Sequence, residues 1–165
     1  MVVEPLLAYP QTNMTSGNNF NIRKAVLSDI DSIKKLVDQH KKELGFVTRP
    51  AINESIERSE LLVALEAGTD NVIGLVHYRH RLDGQTTLYN LAVIGTFRHI
   101  GVAQALINTL RAEAVAKKQK LIFLKCPQVL ASNAFYRQYG FTHVVTEPGK
   151  KLPLNIWKLD LSGQL

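Results

Sequence analysis

The segment NLAVIGTFRHIGVAQALINTL at residues 90–110 constrains the fold most, because a strand pattern changes directly into a helix pattern within it. Between the two patterns lie a basic pair, Arg98 and His99, and the small residues Gly101 and Ala103. A helix N-terminus presents unpaired backbone N–H groups and a partial positive charge. The segment therefore predicts either a plain connection or an anion site whose small residues let a diphosphate approach the backbone.

The rest of the chain alternates between the two kinds of pattern. Strands are predicted at residues 20–26, 61–66, 72–79, 86–93, 121–126, 141–146 and 154–159, and helices at residues 28–44, 50–58, about 101–118 and 132–138. The order β-α-α-β-β-β-α-β-α-β-β predicts an α+β (mixed α/β) fold with one domain over residues 20–165. Residues 1–19 hold two prolines and the polar run QTNMTSGNN, which predict a loosely ordered N-terminal arm.

Composition limits the environment and the partners of the chain. Cys126 is the single cysteine and cannot form an internal disulfide, so we expect a reducing, cytoplasmic location. No apolar run approaches the roughly 18 residues of a membrane span, and we expect no membrane partner. The net charge of +6 favours anionic partners. Because basic and acidic residues are interspersed, we expect no specific nucleic-acid partner. A phosphorylated cofactor and a merely solvated basic surface both remain open.

Three stretches together carry a family resemblance. They are LYNLAV (88–93), RHIGVA (98–103) and SNAFYRQYGF (132–141), and they occur in this order with about 30 residues between the last two. On these stretches the chain resembles the GNAT superfamily of acetyl-CoA-dependent N-acetyltransferases, over about residues 22–159. The resemblance implies a mixed, mostly antiparallel sheet that is splayed in the middle and flanked by about four helices.

The resemblance also implies where acetyl-CoA binds as co-substrate. The strand end would hold the acyl arm, the loop amides would hold the pyrophosphate, and one asparagine would touch the pantetheine. These residues are Leu91, Ala92 and Val93; then Arg98, His99, Ile100, Gly101, Val102 and Ala103; and finally Asn133. For Asn133, an N-terminal helix cap is an equally good interpretation. We expect no metal ligands in the site.

Tyr136 matches the family tyrosine that protonates the leaving thiolate of coenzyme A. Core packing is the alternative, because AFYRQYGF is rich in aromatic residues, and Tyr139 is a competing candidate for the acid. Cys126 ends a predicted strand, and an acetyl-cysteine intermediate is conceivable there. However, no activating partner is evident, so a buried structural thiol is favoured.

The general base is where the sequence departs from the family pattern. Many relatives carry Glu, Asp or His at the positions that are Thr87 and Tyr89 here, and neither of these is a good base at neutral pH. His77 and His80 on the preceding predicted strand could titrate usefully, although strand histidines are more often structural. A water relay through Tyr89 or Asn90 is slightly favoured, and the base stays open.

The sequence thus predicts an N-acetyltransferase in which a primary amine attacks acetyl-CoA directly in a ternary complex. The acceptor, a small molecule or a peptide, should lie in a groove formed by residues 46–56 and 80–85. A CoA-binding regulatory module with weak catalysis is the alternative, and a basic nucleic-acid-binding domain rests on charge alone. The sequence leaves open the identity of the amine, a longer acyl donor and a homodimer.

Overall fold

The computed structural model describes residues 19–164. The strands are β1 (Phe20–Lys24), β2 (Leu61–Glu66), β3 (Val72–His80), β4 (Gln85–Val93), β5 (Leu121–Pro127), β6 (Thr142–Glu147) and β7 (Leu154–Asp160). The helices are α1 (Ile30–Gln39), α2 (Lys41–Leu44), α3 (Arg49–Glu57), α4 (Val102–Ala116) and α5 (Ser132–Tyr139). Apart from Asn19, the predicted N-terminal arm lies outside the described residues. Within residues 19–164, none of the helices is both long and apolar enough to span a bilayer.

The predicted order of elements is confirmed, with one difference in the first helix. The sequence predicted a continuous helix over residues 28–44, whereas the chain forms a short 3-10 turn (Leu27–Asp29), then α1, and then the single turn α2. The break lies at His40, whose backbone leaves the helical region at φ −113° and ψ 24°. The ring of His40 contacts the Leu36 carbonyl through Nδ1 at 2.9 Å, which occupies the carbonyl that a continuing helix would use.

The strands form one mixed, mostly antiparallel sheet in the order β1-β2-β3-β4-β5-β7-β6, which confirms the predicted fold class. β4 and β5 pair in parallel from Gln85, opposite Leu121, to Leu88, opposite Leu124, and both strands continue beyond this pairing. The chain divides into two compact units, residues 19–78 with 90–113, and residues 79–89 with 114–164.

The first unit buries one apolar cluster between its helices and strands. Side chains from α1 and α3 pack on alternate residues of β2, as the strand period of two requires, and on Val72 and Leu75 of β3, where the β2–β3 register shifts. The cluster includes Ile33, Leu36, Val37, Ile52, Val63, Leu75 and Ala92. A polar network closes the same unit, in which Lys24 Nζ lies 2.6 Å from Glu113 Oε2, and the fully buried Tyr78 hydroxyl donates to the same carboxylate at 2.8 Å. This ion pair ties β1 to α4.

The second unit has its own aromatic core. Trp157 on β7 is almost fully buried at 1% exposure, and it lies near Tyr136 on α5 with ring centroids 6.5 Å apart. Tyr136 also packs edge-to-face on Phe141 at 5.6 Å. Gly140 ends α5 with φ +118°, a backbone conformation that favours glycine. The helix predicted over residues 132–138 is therefore confirmed and ends one residue later than predicted.

Candidate active site

The loop between β4 and α4 reverses the chain with two residues in left-handed backbone regions. Gly101 has φ +93°, and His99, although not a glycine, has φ +66°. A side chain at position 101 would meet no atom within 4 Å, so the glycine serves the backbone angle and an open approach rather than close packing. Gly101 directly precedes α4, and its carbonyl accepts from the Ala105 amide at 2.9 Å.

The backbone amides of this loop are available to a ligand. Within the part of the chain that the structure describes, the N–H groups of His99, Ile100 and Gly101 donate to no other group. All three residues are exposed. Val102 and Ala103 occupy the first turn of α4, where N–H groups lack intrahelical partners. The arrangement can therefore bind an anionic group with several backbone donors.

Arg98 supplies positive charge, and its side-chain contacts also hold the loop in place. Its Nε donates to the Val93 carbonyl at 3.1 Å, at the end of β4, and its Nη2 lies 3.2 Å from His40 Nε2. The side chain thus links the start of the loop to the strand end and to the break after α1.

Leu91 is half-buried, whereas Ala92 and Val93 are buried.

Gly74 on β3 is a site residue that the sequence reasoning missed. A Cβ atom there would lie 3.1 Å from the Ala92 carbonyl oxygen and 3.1 Å from Val102 Cγ1, so a larger residue would require the strand end or the first residue of α4 to shift by a few tenths of an ångström. A lone glycine inside a strand pattern is the signal that could have found it.

The two histidine candidates for the base differ in their surroundings. His77 is half-buried, and its Nε2 lies 2.8 Å from the hydroxyl oxygen of Ser55 on α3. Burial lowers the pKa of His77, and the charge of Glu54 opposes this shift. In the second unit, His80 Nδ1 lies 2.8 Å from Oγ1 of the buried Thr86. Ser55 carries no sequence signal that could have marked it.

Tyr136 is buried, with 5% of its surface exposed. Burial raises the pKa of its phenol, with a further contribution from Cys126, so the hydroxyl stays protonated at neutral pH. Among the described residues, the Tyr136 hydroxyl makes no hydrogen bond. Tyr136 therefore packs in the core, which was the alternative to a catalytic role. Its hydroxyl also keeps its proton.

Asn133 lies inside α5, and its interpretation as the helix cap is wrong, because the capping position is Ala131. Its Nδ2 atom instead lies 2.7–3.3 Å from three carbonyl oxygens, those of Pro127 at the end of β5 and of Gln128 and Leu130 in the connection to α5, which share its two hydrogens. Its Oδ1 accepts from Trp157 Nε1 at 2.8 Å and from Asn155 Nδ2 at 3.1 Å. Protein groups therefore use both ends of the amide, which fixes α5 to β7.

Cys126 is buried at 5% exposure near the end of β5. Its sulfur lies 3.3 Å from the Ser132 hydroxyl and 3.6 Å from the carbonyl of Pro127. Neither group carries the positive charge that would stabilise a thiolate, so these contacts favour a structural thiol.

Solved structures share the fold at low sequence identity. Ard1 from Thermoplasma volcanium superposes with a TM-score of 0.77 and 19% identity, over 87% of this chain and 98% of its own. An N-acetyltransferase from Staphylococcus aureus Mu50 gives 0.74 and 21%, over 88% and 100%. PaiA N-acetyltransferase from Thermoplasma acidophilum, solved in complex with coenzyme A, gives 0.75 and 15%, over 87% and 99%.

A sequence search among curated proteins finds no match. The family model of the GNAT acetyltransferase domain matches residues 57–143, just over half of the chain. The matched range contains the strand end, the loop, α4 and α5. The chain therefore belongs to the GNAT family of acetyltransferases.

Proposed function

We propose that the chain is an N-acetyltransferase that transfers the acetyl group of acetyl-CoA to a primary amine by direct attack in a ternary complex. The observation that carries this proposal is the loop of exposed amides at His99, Ile100 and Gly101, which precedes α4. Such a loop suits the diphosphate of coenzyme A. The coenzyme A complex of PaiA from Thermoplasma acidophilum, which shares the fold, supports the same cofactor here.

The proposed reaction needs an attacking amine, a proton donor for the leaving thiolate and a bound cofactor. The neutral amine nitrogen attacks the thioester carbonyl carbon and forms the C–N bond. The nitrogen then loses a proton, and the C–S bond breaks with its electron pair remaining on the sulfur. The proposal assigns the proton that the thiolate takes up to the Tyr136 hydroxyl, which later regains one from solvent. Because burial disfavours the phenolate, Tyr136 keeps its proton at neutral pH and is present as a neutral donor when the C–S bond breaks. Anchoring acetyl-CoA would align the two reactants.

The remaining parts of the proposal follow the loop and α5. Leu91, Ala92 and Val93 would hold the acyl arm. The amides from Arg98 to Ala103 would hold the diphosphate. For Asn133 we propose a positioning role, because its side-chain amide is already used by Trp157, Asn155 and the connection before α5.

The test is a thiol-release assay with acetyl-CoA across an amine panel, comparing wild type, Tyr136→Phe and Tyr139→Phe. Tyr136→Phe keeps the aromatic packing and removes a hydroxyl that makes no hydrogen bond among the described residues, so stability should not change. We expect kcat to fall by about 10²-fold in Tyr136→Phe, the lower range for acid–base catalysis. A fall confined to Tyr139→Phe would move the acid to that residue.

A second arm separates cofactor binding from folding. Gly101→Ala and Gly101→Glu share the strain of a side chain at φ +93°, and neither meets an atom within 4 Å at Cβ. Only the glutamate adds a negative charge beside a diphosphate. Like charges 4 Å apart repel by roughly 4 kcal/mol at an effective dielectric constant of about 20. We expect Gly101→Glu to weaken acetyl-CoA binding at least about 100-fold relative to Gly101→Ala. Equal binding by the two variants would contradict the site. Acetyl-CoA binding without turnover of any amine would favour a regulatory CoA-binding module.

A further inference from the structure

His77 on β3 lies between two polar side chains of the same unit. Its Nε2 is 2.8 Å from Ser55 Oγ on α3, and its Nδ1 is 3.5 Å from the Asn90 amide nitrogen on β4. Ser55 Oγ in turn donates to the Ala51 carbonyl at 2.9 Å. The imidazole is therefore oriented from both sides.

These contacts select one tautomer of the ring. A serine hydroxyl carries a single hydrogen. Because Ser55 donates that hydrogen to Ala51, its oxygen accepts from His77 Nε2–H, and Nδ1 carries the ring's lone pair. The NH₂ group of Asn90 faces Nδ1 as a donor, which agrees with this assignment. His77 is consequently not placed to activate Ser55 as a nucleophile, and Nδ1 is the basic atom.

The surroundings of His77 keep the ring neutral. Burial lowers its pKa from 6.5, and Glu54, on α3, is the charged group that opposes the shift. The space next to the ring is lined by the uncharged Ser55 and Asn90 and by apolar side chains that include those of α1, α3, β2 and β3. At pH 7 the imidazole is therefore ready to accept a proton.

A small cavity adjoins the ring. It measures about 20 Å³ and is lined by Ser55, His77, Asn90 and apolar residues that include Ile52. One water molecule needs roughly 10–15 Å³ and two to four polar partners, and this cavity offers both. The cavity lies against residues 51–55 of α3, within the stretch 46–56 that we expect to shape the acceptor groove.

We propose that His77 accepts the proton of the acceptor amine, at Nδ1, through one water in the small cavity that His77 and Asn90 line. The inference rests on the proposed function. An amine N–H bond breaks as its proton passes to the water oxygen, and a proton of that water passes to Nδ1. The resulting imidazolium returns the proton to solvent after the C–N bond has formed. Thr87 and Tyr89, the positions where relatives carry a base, are then not needed for this step.

The test measures kcat against pH, from 5 to 9, for wild type, His77→Gln and His80→Gln with saturating acetyl-CoA and amine. In wild type, kcat should fall as the pH drops through a value below 6.5, the ordinary pKa, because the neutral ring is the active form. We expect His77→Gln to lose about 10²-fold in kcat at pH 7.5. Its kcat should lack the wild-type acid limb and rise with pH, while acetyl-CoA affinity stays unchanged.

An NMR titration of the His77 ring, in wild type saturated with coenzyme A and the amine, provides a measurement that needs no variant. Its pKa should match the acid limb of kcat, and its spectrum should show the tautomer protonated at Nε2. The inference is overturned if His77→Gln keeps kcat within threefold of wild type or keeps the same acid limb. It is also overturned if the NMR value differs from the kinetic one, or if His80→Gln removes the limb instead. A wild type that acetylates no amine refutes the proposed function itself, so the two failures are distinguishable.

Discussion

Asn133→Ala should destabilise the second unit mainly because it removes the acceptor of one buried N–H donor. The substitution leaves Trp157 Nε1, on a side chain 1% exposed, without the Oδ1 acceptor now 2.8 Å away. A buried donor without a partner costs about 1–3 kcal/mol. The carbonyls of Pro127 and Leu130 keep other donors, the amides of Leu130 and Asn133. With the lost contact to Asn155 added, we expect about 2–4 kcal/mol in total, at roughly 1 kcal/mol per neutral hydrogen bond.

Trp157 is the only tryptophan, so its fluorescence reports the change directly. At about 2–4 °C per kcal/mol for a chain of this size, the Tm should fall by roughly 5–15 °C. Gln138→Ala, on the exposed face of α5, is the matched control and should stay within about 0.5 kcal/mol of wild type. A Tm loss below 2 °C with an unchanged emission spectrum in Asn133→Ala would show that the amide does not fix Trp157.

Asn133→Asp separates the two ends of the amide. It keeps acceptors for Trp157 and Asn155, but it turns a carboxylate toward the carbonyls that now accept from Nδ2. We expect Asn133→Asp to be destabilised at pH 7 and to recover relative to wild type as the pH falls, because a protonated carboxyl regains a donor. Since Tyr136 stands one turn further along α5 and packs near Trp157, the proposed function adds that kcat falls in both variants.

Three further substitutions test the first unit. Gly74→Ala should cost about 1–3 kcal/mol in urea unfolding and weaken acetyl-CoA binding, because its Cβ would lie 3.1 Å from the Ala92 carbonyl at the strand end. Glu113→Gln should cost about 2–3 kcal/mol, less than the 3–5 kcal/mol typical of broken buried pairs, because Lys24 is partly exposed at 27%. Burial alone would raise the pKa of Asp29, but hydrogen bonds from Arg23 and the Val26 amide lower it overall. The stability that Asp29 contributes is thus present above pH 3.8 and is lost as the pH falls through its lowered value, so the difference in Tm between Asp29→Asn and wild type should narrow as melts are run at pH values progressively below 3.8.

Much of the fold was predictable from the sequence, because the buried strands have regular apolar patterns. Leu61–Glu66 is predicted at its observed bounds, since an apolar run between polar turns has few other interpretations. The break at His40 was missed because no glycine or proline marks it. The contact of its ring with the Leu36 carbonyl depends on a rotamer rather than on a pattern.

The site was predictable where its chemistry is local in sequence. The loop from Arg98 to Ala103 is such a case, because a helix start and a glycine at positive φ are neighbours in the chain. The partners of His77 and Asn133 are not local, since Ser55 precedes His77 by 22 residues and Trp157 follows Asn133 by 24. Pairings over such distances are set by strand register and helix placement, which residue spacing alone does not specify.

Burial acts on the two proposed proton-transfer groups in opposite directions. It disfavours the charged form of any side chain, so it lowers the pKa of His77 and raises that of Tyr136. The neutral imidazole is the form that accepts a proton, and the neutral phenol is the form that donates one. Burial thus keeps both groups in the protonation state that acetyl transfer needs over one wide pH range, while it also makes the phenol a weaker acid and the imidazole a weaker base. For an amine already saturating the enzyme, kcat should be flat from above the His77 pKa to at least pH 9, with no basic limb from Tyr136 in that interval.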